Sequence, residues 1–331
     1  MEPTPFLNNR VAGHFAWKRY FAESLTSKRL AHAYLFVGPE AIGKWTFARA
    51  LSKRIACGNP KLNDACGVCG KCIRVESNNH PDILWIDPLA EGLRGLNVEL
   101  ARERIIAAFR LTPSESPIRV VIVNDADRME PGAQNALLKT LEEPPVRSLL
   151  ILIAKDTTQI LDTVLSRCFL LRFSSVADSD FGQWLRERGD AESQISRLVS
   201  LASGFPGRAL ALKEESAKLL QLANDCLSNT PDLQGAVSPF EIARAIVKQA
   251  GESQELSAFE RRRQAAYGFC SALAVQVRER LARTPDDLDL TELLERIAAA
   301  AAELSGNMTP ELVTDRLVLD AAGAGAQMRR L

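Results

Sequence analysis

The segment that decides the fold covers residues 118–173 and contains two short apolar runs, VVIV at 120–123 and LLILIA at 149–154. Runs in which polar residues do not alternate with apolar ones are typical of strands buried on both faces of a parallel sheet. Between them, AQNALLKTLEE at 133–143 is rich in helix formers, carries three leucines on one face and is followed by two prolines. The segment therefore predicts a strand, a helix and a second strand of one buried sheet.

The same alternation extends towards the N-terminus. Residues 33–37 and 83–86 are further short apolar runs that predict strands. Helical patterns follow each of them, at 47–55 and at 98–111. Strands that alternate with helices in this way predict an α/β domain built on a doubly wound parallel sheet.

A glycine-rich loop, GPEAIGKWT at 38–46, joins the first of these strands to its helix. A strand, a glycine-rich turn and a helix are the context of a phosphate-binding loop. In such a loop, glycines at Gly38 and Gly43 permit the tight turn and Lys44 reaches phosphate oxygens. The sequence therefore predicts a nucleotide-site-like loop at the carboxyl end of the first strand.

Four of the seven cysteines, Cys57, Cys66, Cys69 and Cys72, lie within sixteen residues and form two overlapping Cys-x-x-Cys units. Four thiolates at this spacing close tetrahedrally around zinc and leave no open position for a catalytic water, so the spacing predicts a structural zinc site. His80 is the alternative ligand nearby, but four sulfur atoms already complete the tetrahedron. The remaining cysteines stand alone, and we expect them to be packing residues: Cys168, Cys226 and Cys270.

Composition limits the other classes of function. Lys plus Arg equals Asp plus Glu at 41 each, so the charge balance is not that of a dedicated nucleic-acid binder, and any contact with DNA is expected to be local. The N-terminus lacks a basic segment followed by an apolar one, and no run is long enough to span a membrane, which predicts a cytoplasmic protein. The Ala- and Gly-rich end from residue 321 is expected to be poorly ordered.

NALLKTLEEPP at 135–145, together with Ser166-Arg167-Cys168, resembles the bacterial clamp-loader branch of the AAA+ proteins, and the resemblance covers roughly residues 10–210. It implies three domains. The first is an AAA+ α/β domain of the P-loop type at 1–173, with a parallel sheet and an inserted zinc knuckle at 57–72. A small helical lid at 174–213 and a C-terminal helical oligomerisation (collar) bundle at 214–331 follow, in agreement with the helical patterns that replace strands after residue 173.

The loop departs from the active members of that family at its metal supports. Trp45 stands where a Ser or Thr hydroxyl binds magnesium, Thr46 lies one residue too far along the helix, and Asn124 replaces an Asp that holds the metal. Asp125 is one methylene shorter than the water-activating Glu. Because phosphoryl transfer depends on bound magnesium, we expect very poor ATP hydrolysis. Two interpretations stay open: a structural relic, or a site that binds ATP weakly without turnover.

The resemblance also implies roles for two arginines. Arg167 matches an arginine finger that stabilises charge on the ATP of a neighbouring subunit, and the alternative is a local ion pair with a carboxylate. Arg208 matches a second sensing arginine at the start of the last lid helix, and the alternative is a solvated side chain.

The function implied is that of a non-catalytic subunit of the DNA polymerase III clamp loader. Its implied partners are gamma/tau-type ATPases and delta in a hetero-oligomeric ring, the sliding clamp and, through the complex, primer-template DNA. One alternative is an active gamma/tau-type clamp-loader ATPase subunit. Another is a stand-alone zinc module that binds nucleic acid, which the lack of aromatic residues around the cysteines disfavours.

Overall fold

The computed structural model describes residues 11–61, 64–213, 216–228, 258–304 and 308–327. The chain divides into two compact units, Met1–Asp180 and Phe181–Leu331. Each unit is described below by itself.

The first unit is built on a five-stranded sheet. Its strands are β1 (Ala33–Val37), β2 (Ile83–Ile86), β3 (Arg119–Val123), β4 (Ser148–Ala154) and β5 (Phe169–Arg172). Their order is β2-β3-β4-β1-β5, and every neighbouring pair is parallel. The parallel sheet predicted from the apolar runs is therefore confirmed.

Helices connect these strands. They are α1 (Phe15–Thr26), α2 (Lys44–Ala56), α3 (Gly70–Glu76), α4 (Val98–Leu100, Ala101–Ile106 and Ala107–Phe109 in succession), α5 (Pro131–Glu142) and α6 (Asp162–Leu165). The middle part of α4 is π-helical, whereas the sequence predicts one uniform helix up to residue 111. The remaining boundaries lie within a few residues of the predicted ones.

Both faces of the sheet are covered, as the doubly wound arrangement requires. On one face, the rings of Tyr34 and Phe36 of β1 pack against Phe21 of α1 and Phe47 of α2, with centroid distances of 5.0 and 5.8 Å. The opposite face belongs to a second buried cluster, which includes Leu35, Val37, Ile105 and Leu137. Each of these side chains contributes roughly 1.5–3 kcal/mol when it leaves water.

A buried carboxylate that the sequence analysis missed anchors the amino end of the sheet. Asp82, directly before β2, is fully buried and accepts hydrogen bonds from the backbone N–H groups of Ser114 (2.9 Å), Glu115 (2.7 Å) and Ser116 (2.7 Å). Nη2 of Arg119 donates a fourth at 3.1 Å. Burial alone would raise the pKa of Asp82, but these donors outweigh it and hold the pKa below its usual value.

The partner of this carboxylate ties several segments together. Arg119 also donates to the backbone carbonyls of Leu111 (3.1 Å), Pro81 (3.1 Å) and Thr112 (3.2 Å). The ion pair therefore joins the starts of β2 and β3 to the loop between α4 and β3.

The second unit is helical throughout its described residues. After α7 (Asp178–Glu187), which begins in the first unit, come α8 (Glu192–Ala202), α9 (Pro206–Leu212), α10 (Ser216–Ser228), α11 (Ala258–Leu281), α12 (Leu288–Leu304) and α13 (Pro310–Gln327). Among the described residues, no helix has the length and apolar character that crossing a membrane requires. The division into a lid at 174–213 and a collar at 214–331 stays a prediction.

The prediction that the chain is poorly ordered from residue 321 is wrong for residues 321–327. Helix α13 continues through this stretch, and Ala321 and Ala324 are buried in the core of the second unit beside Leu317. Small side chains allow helices to approach closely, so a segment that is rich in alanine can pack as well as a larger apolar one.

We expect Asp82→Ala to lower the free energy of unfolding by about 3–5 kcal/mol, because it leaves the Arg119 guanidinium buried without its counter-charge. Asp82 contributes its full stabilisation at pH values above 3.8, which is the pKa of aspartate in the unfolded chain. Because the pKa in the folded protein is lower, this stabilisation is lost as the pH falls below 3.8. Urea titration at pH 7 measures the loss. The exposed Glu99→Ala is the control and should change stability by less than about 1 kcal/mol; an equal effect of both variants would contradict the anchoring role.

Candidate functional site

The glycine-rich loop predicted from the sequence connects β1 to α2 at the carboxyl end of the sheet. Gly43 caps α2 in a left-handed conformation with φ 100°. Gly38 packs so closely that a Cβ there would lie 2.3 Å from the carbonyl oxygen of Phe173. Each glycine is therefore required for a different reason. Gly43 adopts a left-handed backbone conformation, and Gly38 lies too close to the main chain of Phe173 to carry a side chain.

Lys44 occupies the position of a phosphate-binding lysine but is turned towards its own loop. Its Nζ donates to the carbonyl oxygen of Gly38 and, at 2.8 Å, to that of Pro39. The side chain is buried, and burial lowers the pKa of Lys44 to about 8, although Glu40 and Asp125 nearby act in the opposite direction. The ammonium group thus fastens the loop in this structure.

The residue after Lys44 carries an aromatic ring where the sequence analysis predicts the absence of a hydroxyl ligand. Trp45 is half-buried, and its ring meets the ring of Trp85 on β2 edge to face, with centroids 5.1 Å apart. The guanidinium of Arg49 lies 5.5 Å from the centroid of Trp85. Thr46 is exposed. An indole N–H cannot coordinate a hard cation, so this position offers magnesium no ligand.

Acidic side chains gather beyond the carboxyl ends of β2 and β3. Asn124 donates its Nδ2 to Oδ2 of Asp87 at 3.2 Å. Asp125 follows in a left-handed conformation, with φ 47°, and burial together with the negative charges of Asp87 and Asp127 raises its pKa to about 7. Without a bound cation, this group of carboxylates opposes the approach of nucleotide phosphates.

The four predicted cysteine ligands are brought together. Cys57 caps the end of α2, Cys69 begins α3 and Cys72 lies within it. All four sulfur atoms lie within 4.8 Å of one another, with 3.6 Å between Cys57 and Cys66 and 3.9 Å between Cys66 and Cys72. A tetrahedron with Zn–S bonds of ~2.3 Å has edges of about 3.8 Å. The spacing therefore fits a tetrahedral metal ion.

Backbone N–H groups around the cluster favour thiolates. Those of Val68 and Cys69 lower the pKa of Cys66, and those of Cys72 and Gly58 lower the pKa of Cys69 to about 6. Burial instead raises the pKa of Cys72. A soft divalent cation bound by all four sulfurs would offset that penalty.

Other sequence candidates lie outside this cluster. His80 accepts a hydrogen bond at Nδ1 from the N–H of Asp82 (3.1 Å) and is not among the metal-ligand groups found in the described residues. Three cysteines are buried, and burial raises their pKa values: Cys168 to about 12, Cys226 to about 11 and Cys270 to about 12. They fit the packing role expected of them.

Arg167 lies at the amino end of the parallel strands, whereas the glycine-rich loop lies at their carboxyl end. Its Nη2 donates to Oε1 of Glu142 at 2.7 Å, and its Nη1 donates to the carbonyl of Thr163 at 2.9 Å and to Oγ of Ser166 at 3.2 Å. The side chain is 34% exposed and that of Glu142 52%. An ion pair so open to solvent contributes about 0–1 kcal/mol.

The register of the sheet separates Arg167 from the loop of the same chain. Val37, directly before the loop, pairs with Arg172 at the end of β5, whereas Arg167 precedes the start of β5. At ~3.3 Å per residue, about 13–20 Å lie between the two sites. An arginine side chain cannot span this distance, so Arg167 cannot serve its own loop.

Arg208, at the start of α9 in the second unit, is held by aromatic rings. Its guanidinium carbon lies 3.9 Å from the centroid of Phe205 and 4.2 Å from that of Tyr267. Both distances are within the range of cation–π attraction. The sensing role of Arg208 stays a prediction.

Glu142 and Gln134, both on α5, were missed by the sequence analysis. The buried Gln134 donates to the carbonyls of Met129 (3.1 Å) and Gln159 (2.8 Å) and accepts from the N–H of Leu161 (2.8 Å). Gln134 lies on the same helix face as the predicted core residue Leu137. A polar residue on an otherwise apolar face was therefore the sequence signal that could have identified it. Nothing in the sequence singles out Glu142 among neighbouring carboxylates.

Residues 13–177 match a protein family described as DNA polymerase III, delta subunit. The chain is 32% identical to DNA polymerase III subunit delta' of Bacillus subtilis over 205 residues, which are 60% of each protein. It is 31% identical to the Escherichia coli delta' subunit, again over 60% of each. The Bacillus subtilis tau subunit matches at 28% over 71% of this chain and 42% of tau. The matches therefore span less than two thirds of each relative.

The raised pKa of Asp125 predicts that this residue destabilises the folded protein at high pH. The folded protein binds this proton more tightly than the unfolded chain does, so the free energy of unfolding falls as pH rises from the unfolded value of 3.8 to about 7. Asparagine tolerates the left-handed backbone and carries no charge. Asp125→Asn should therefore be more stable than the wild type at pH 8, by a margin that shrinks towards pH 5. Thermal unfolding at both pH values tests this.

The control is Asp156→Asn, because hydrogen bonds from Thr158 lower the pKa of Asp156. Its replacement should give no gain at pH 8. A stability difference between Asp125→Asn and the wild type that does not change with pH would contradict the prediction.

Proposed function

Residues 13–177 belong to the family described as DNA polymerase III, delta subunit, and from this we propose that the chain is a delta-prime-like subunit of the DNA polymerase III clamp loader. In this role it sits in a cytoplasmic hetero-oligomeric AAA+ ring with gamma/tau-type ATPases and delta, and helps to load the sliding clamp on primed DNA. It supplies an arginine finger and performs no hydrolysis itself.

The observation that carries this proposal is the division of functional groups between the two edges of the sheet. At the carboxyl edge, Trp45 and Asn124 stand where magnesium needs a hydroxyl and a carboxylate. At the amino end of the strands, Arg167 is partly exposed and too far from its own loop to assist there. A chain that keeps the finger and lacks metal supports can act only on the nucleotide of a neighbour.

The second candidate function is that of an active gamma/tau-type ATPase, and the similarity to tau supports it. Trp45 and Asn124 speak against it, and the inward-turned Lys44 fits either a structural relic or weak, unproductive binding of ATP. An ATPase assay on the purified chain separates the two functions: turnover above background supports the motor.

We further propose that Cys57, Cys66, Cys69 and Cys72 hold one structural zinc ion. The sulfur spacing and the N–H groups directed at Cys66 and Cys69 support it. The ion would fill all four tetrahedral positions with protein ligands, so its contribution is to the folding of residues 57–72 and not to catalysis.

Removal of one ligand should release the metal. Cys69→Ser is expected to purify without zinc and to lose local order in the knuckle, because metal binding supplies much of the folding free energy of such small modules, ~10 kcal/mol or more of apparent binding in peptides. Elemental analysis gives the zinc content, and hydrogen exchange of residues 57–72 gives the local order. Cys226→Ser, outside the cluster, is the control. A metal-free wild-type protein with a protected knuckle would end this proposal.

The finger is tested by Arg167→Ala in a reconstituted loader. The variant should fold and assemble normally, since the partly exposed side chain lies outside the buried clusters, yet hydrolysis at the one site that it faces should fall by ~10³–10⁵. Arg167→Lys should fail nearly as badly, because an ammonium lacks the planar fork that spans two phosphate oxygens. Clamp-stimulated ATPase and clamp loading give the rates, and sedimentation gives the assembly.

The exposed Arg110→Ala, on the loop before β3, is the matched control and should leave these rates unchanged. Wild-type hydrolysis in an intact Arg167→Ala complex would return Arg167 to a purely local ion pair with Glu142.

A further inference from the structure

The contacts of Arg167 leave one side of its guanidinium available. Of its five N–H donors, two on Nη1 face the carbonyl of Thr163 and Oγ of Ser166, and one on Nη2 faces Glu142. In the part of the chain that the structure describes, Nε–H and the second Nη2 hydrogen have no acceptor. Donors of this kind can bind a phosphate oxygen while the ion pair with Glu142 is intact.

The carboxylate that holds Arg167 is itself firmly mounted. Glu142 is the last residue of α5, and Leu141 beside it is buried in the sheet core. Near the other end of the same helix, Gln134 binds the backbone of Gln159 and Leu161, directly before the helix that leads to Arg167. Helix α5 therefore fixes both Glu142 and the segment that carries the arginine.

We propose that Glu142 is a positioning residue for the arginine finger: it holds Nη2 so that the open N–H donors of Arg167 are already oriented when a neighbouring subunit presents its nucleotide. This inference rests on the proposed function of Arg167. It assigns Glu142 a task in the rate of hydrolysis and little in stability, because Glu142 is exposed and Arg167 is partly exposed, so that water screens their ion pair.

The competing role for Glu142 is a latch that must release Arg167 before it can act. The geometry favours positioning, because Glu142 accepts from Nη2 alone and Nε–H keeps no acceptor in the described part of the chain while the ion pair is intact. Pre-orientation removes the cost of ordering a long side chain at the moment of reaction. The cation also lies at the carboxyl end of α5, where the helix dipole favours positive charge.

The two roles predict opposite orders of activity in the reconstituted loader. For positioning, hydrolysis at the site that Arg167 faces should fall roughly 10- to 100-fold in Glu142→Ala and less in Glu142→Gln, whose amide oxygen still accepts from Nη2. The KM for ATP should not change, because the neighbour binds the nucleotide. Glu143→Ala, an exposed carboxylate next in sequence, should behave as wild type.

A second measurement uses the isolated full-length chain and needs no partner. Phenylglyoxal modifies arginines that are free of ion pairs, and mass spectrometry gives the rate at Arg167. Glu142→Ala should raise that rate several-fold with an unchanged thermal midpoint, and Glu143→Ala should not.

The outcomes separate the inference from the function on which it rests. Loss of hydrolysis in Arg167→Ala with wild-type or faster hydrolysis in Glu142→Ala overturns the positioning role alone. An unchanged labelling rate in Glu142→Ala overturns it as well. Wild-type hydrolysis in Arg167→Ala overturns the finger itself, and the inference falls with it.

Discussion

The constraint on which this molecule depends is the common direction of its strands. In a parallel sheet every carboxyl end lies at one edge and every amino end at the other, and here all four neighbouring pairs obey this rule. The loop around Lys44 and the carboxylates near Asp125 share the first edge. The Asp82–Arg119 pair and the Glu142–Arg167 pair share the second. The glycine-rich loop and Arg167 are thus held apart by the length of the strands.

The charged groups at the two edges are stabilised in different ways. Asp82 is fully buried and has four strong donors, so its negative charge is fully compensated and the ion pair is part of the fold. Arg167 and Glu142 remain open to water, so their pairing costs little to make or break. A cation that must meet an incoming anion is better served by the second arrangement, since a deeply buried pair could not exchange partners.

Sequence reasoning succeeded where burial dictates the pattern. Residues on β1 and β2 must be apolar on both faces, so Ala33–Val37 and Ile83–Ile86 could be recognised without any partner being known. The four cysteines were equally clear, because metal ligands need a short spacing. Contacts between residues distant in sequence left no such trace: Asp82 and Arg119 are 37 residues apart, and Glu142 and Arg167 are 25 apart. The inward direction of Lys44 depends on backbone carbonyls, which every residue has.

Gly38 shows that a residue of a binding motif can also be required by the fold. A methyl group at this position would collide with the main chain after β5, whether or not a nucleotide is ever bound. Packing alone therefore disfavours replacement of this glycine, whereas the indole of Trp45 is accommodated against the ring of Trp85. The presence of Gly38 is therefore explained by the packing of the sheet and is by itself no evidence that the loop binds a nucleotide.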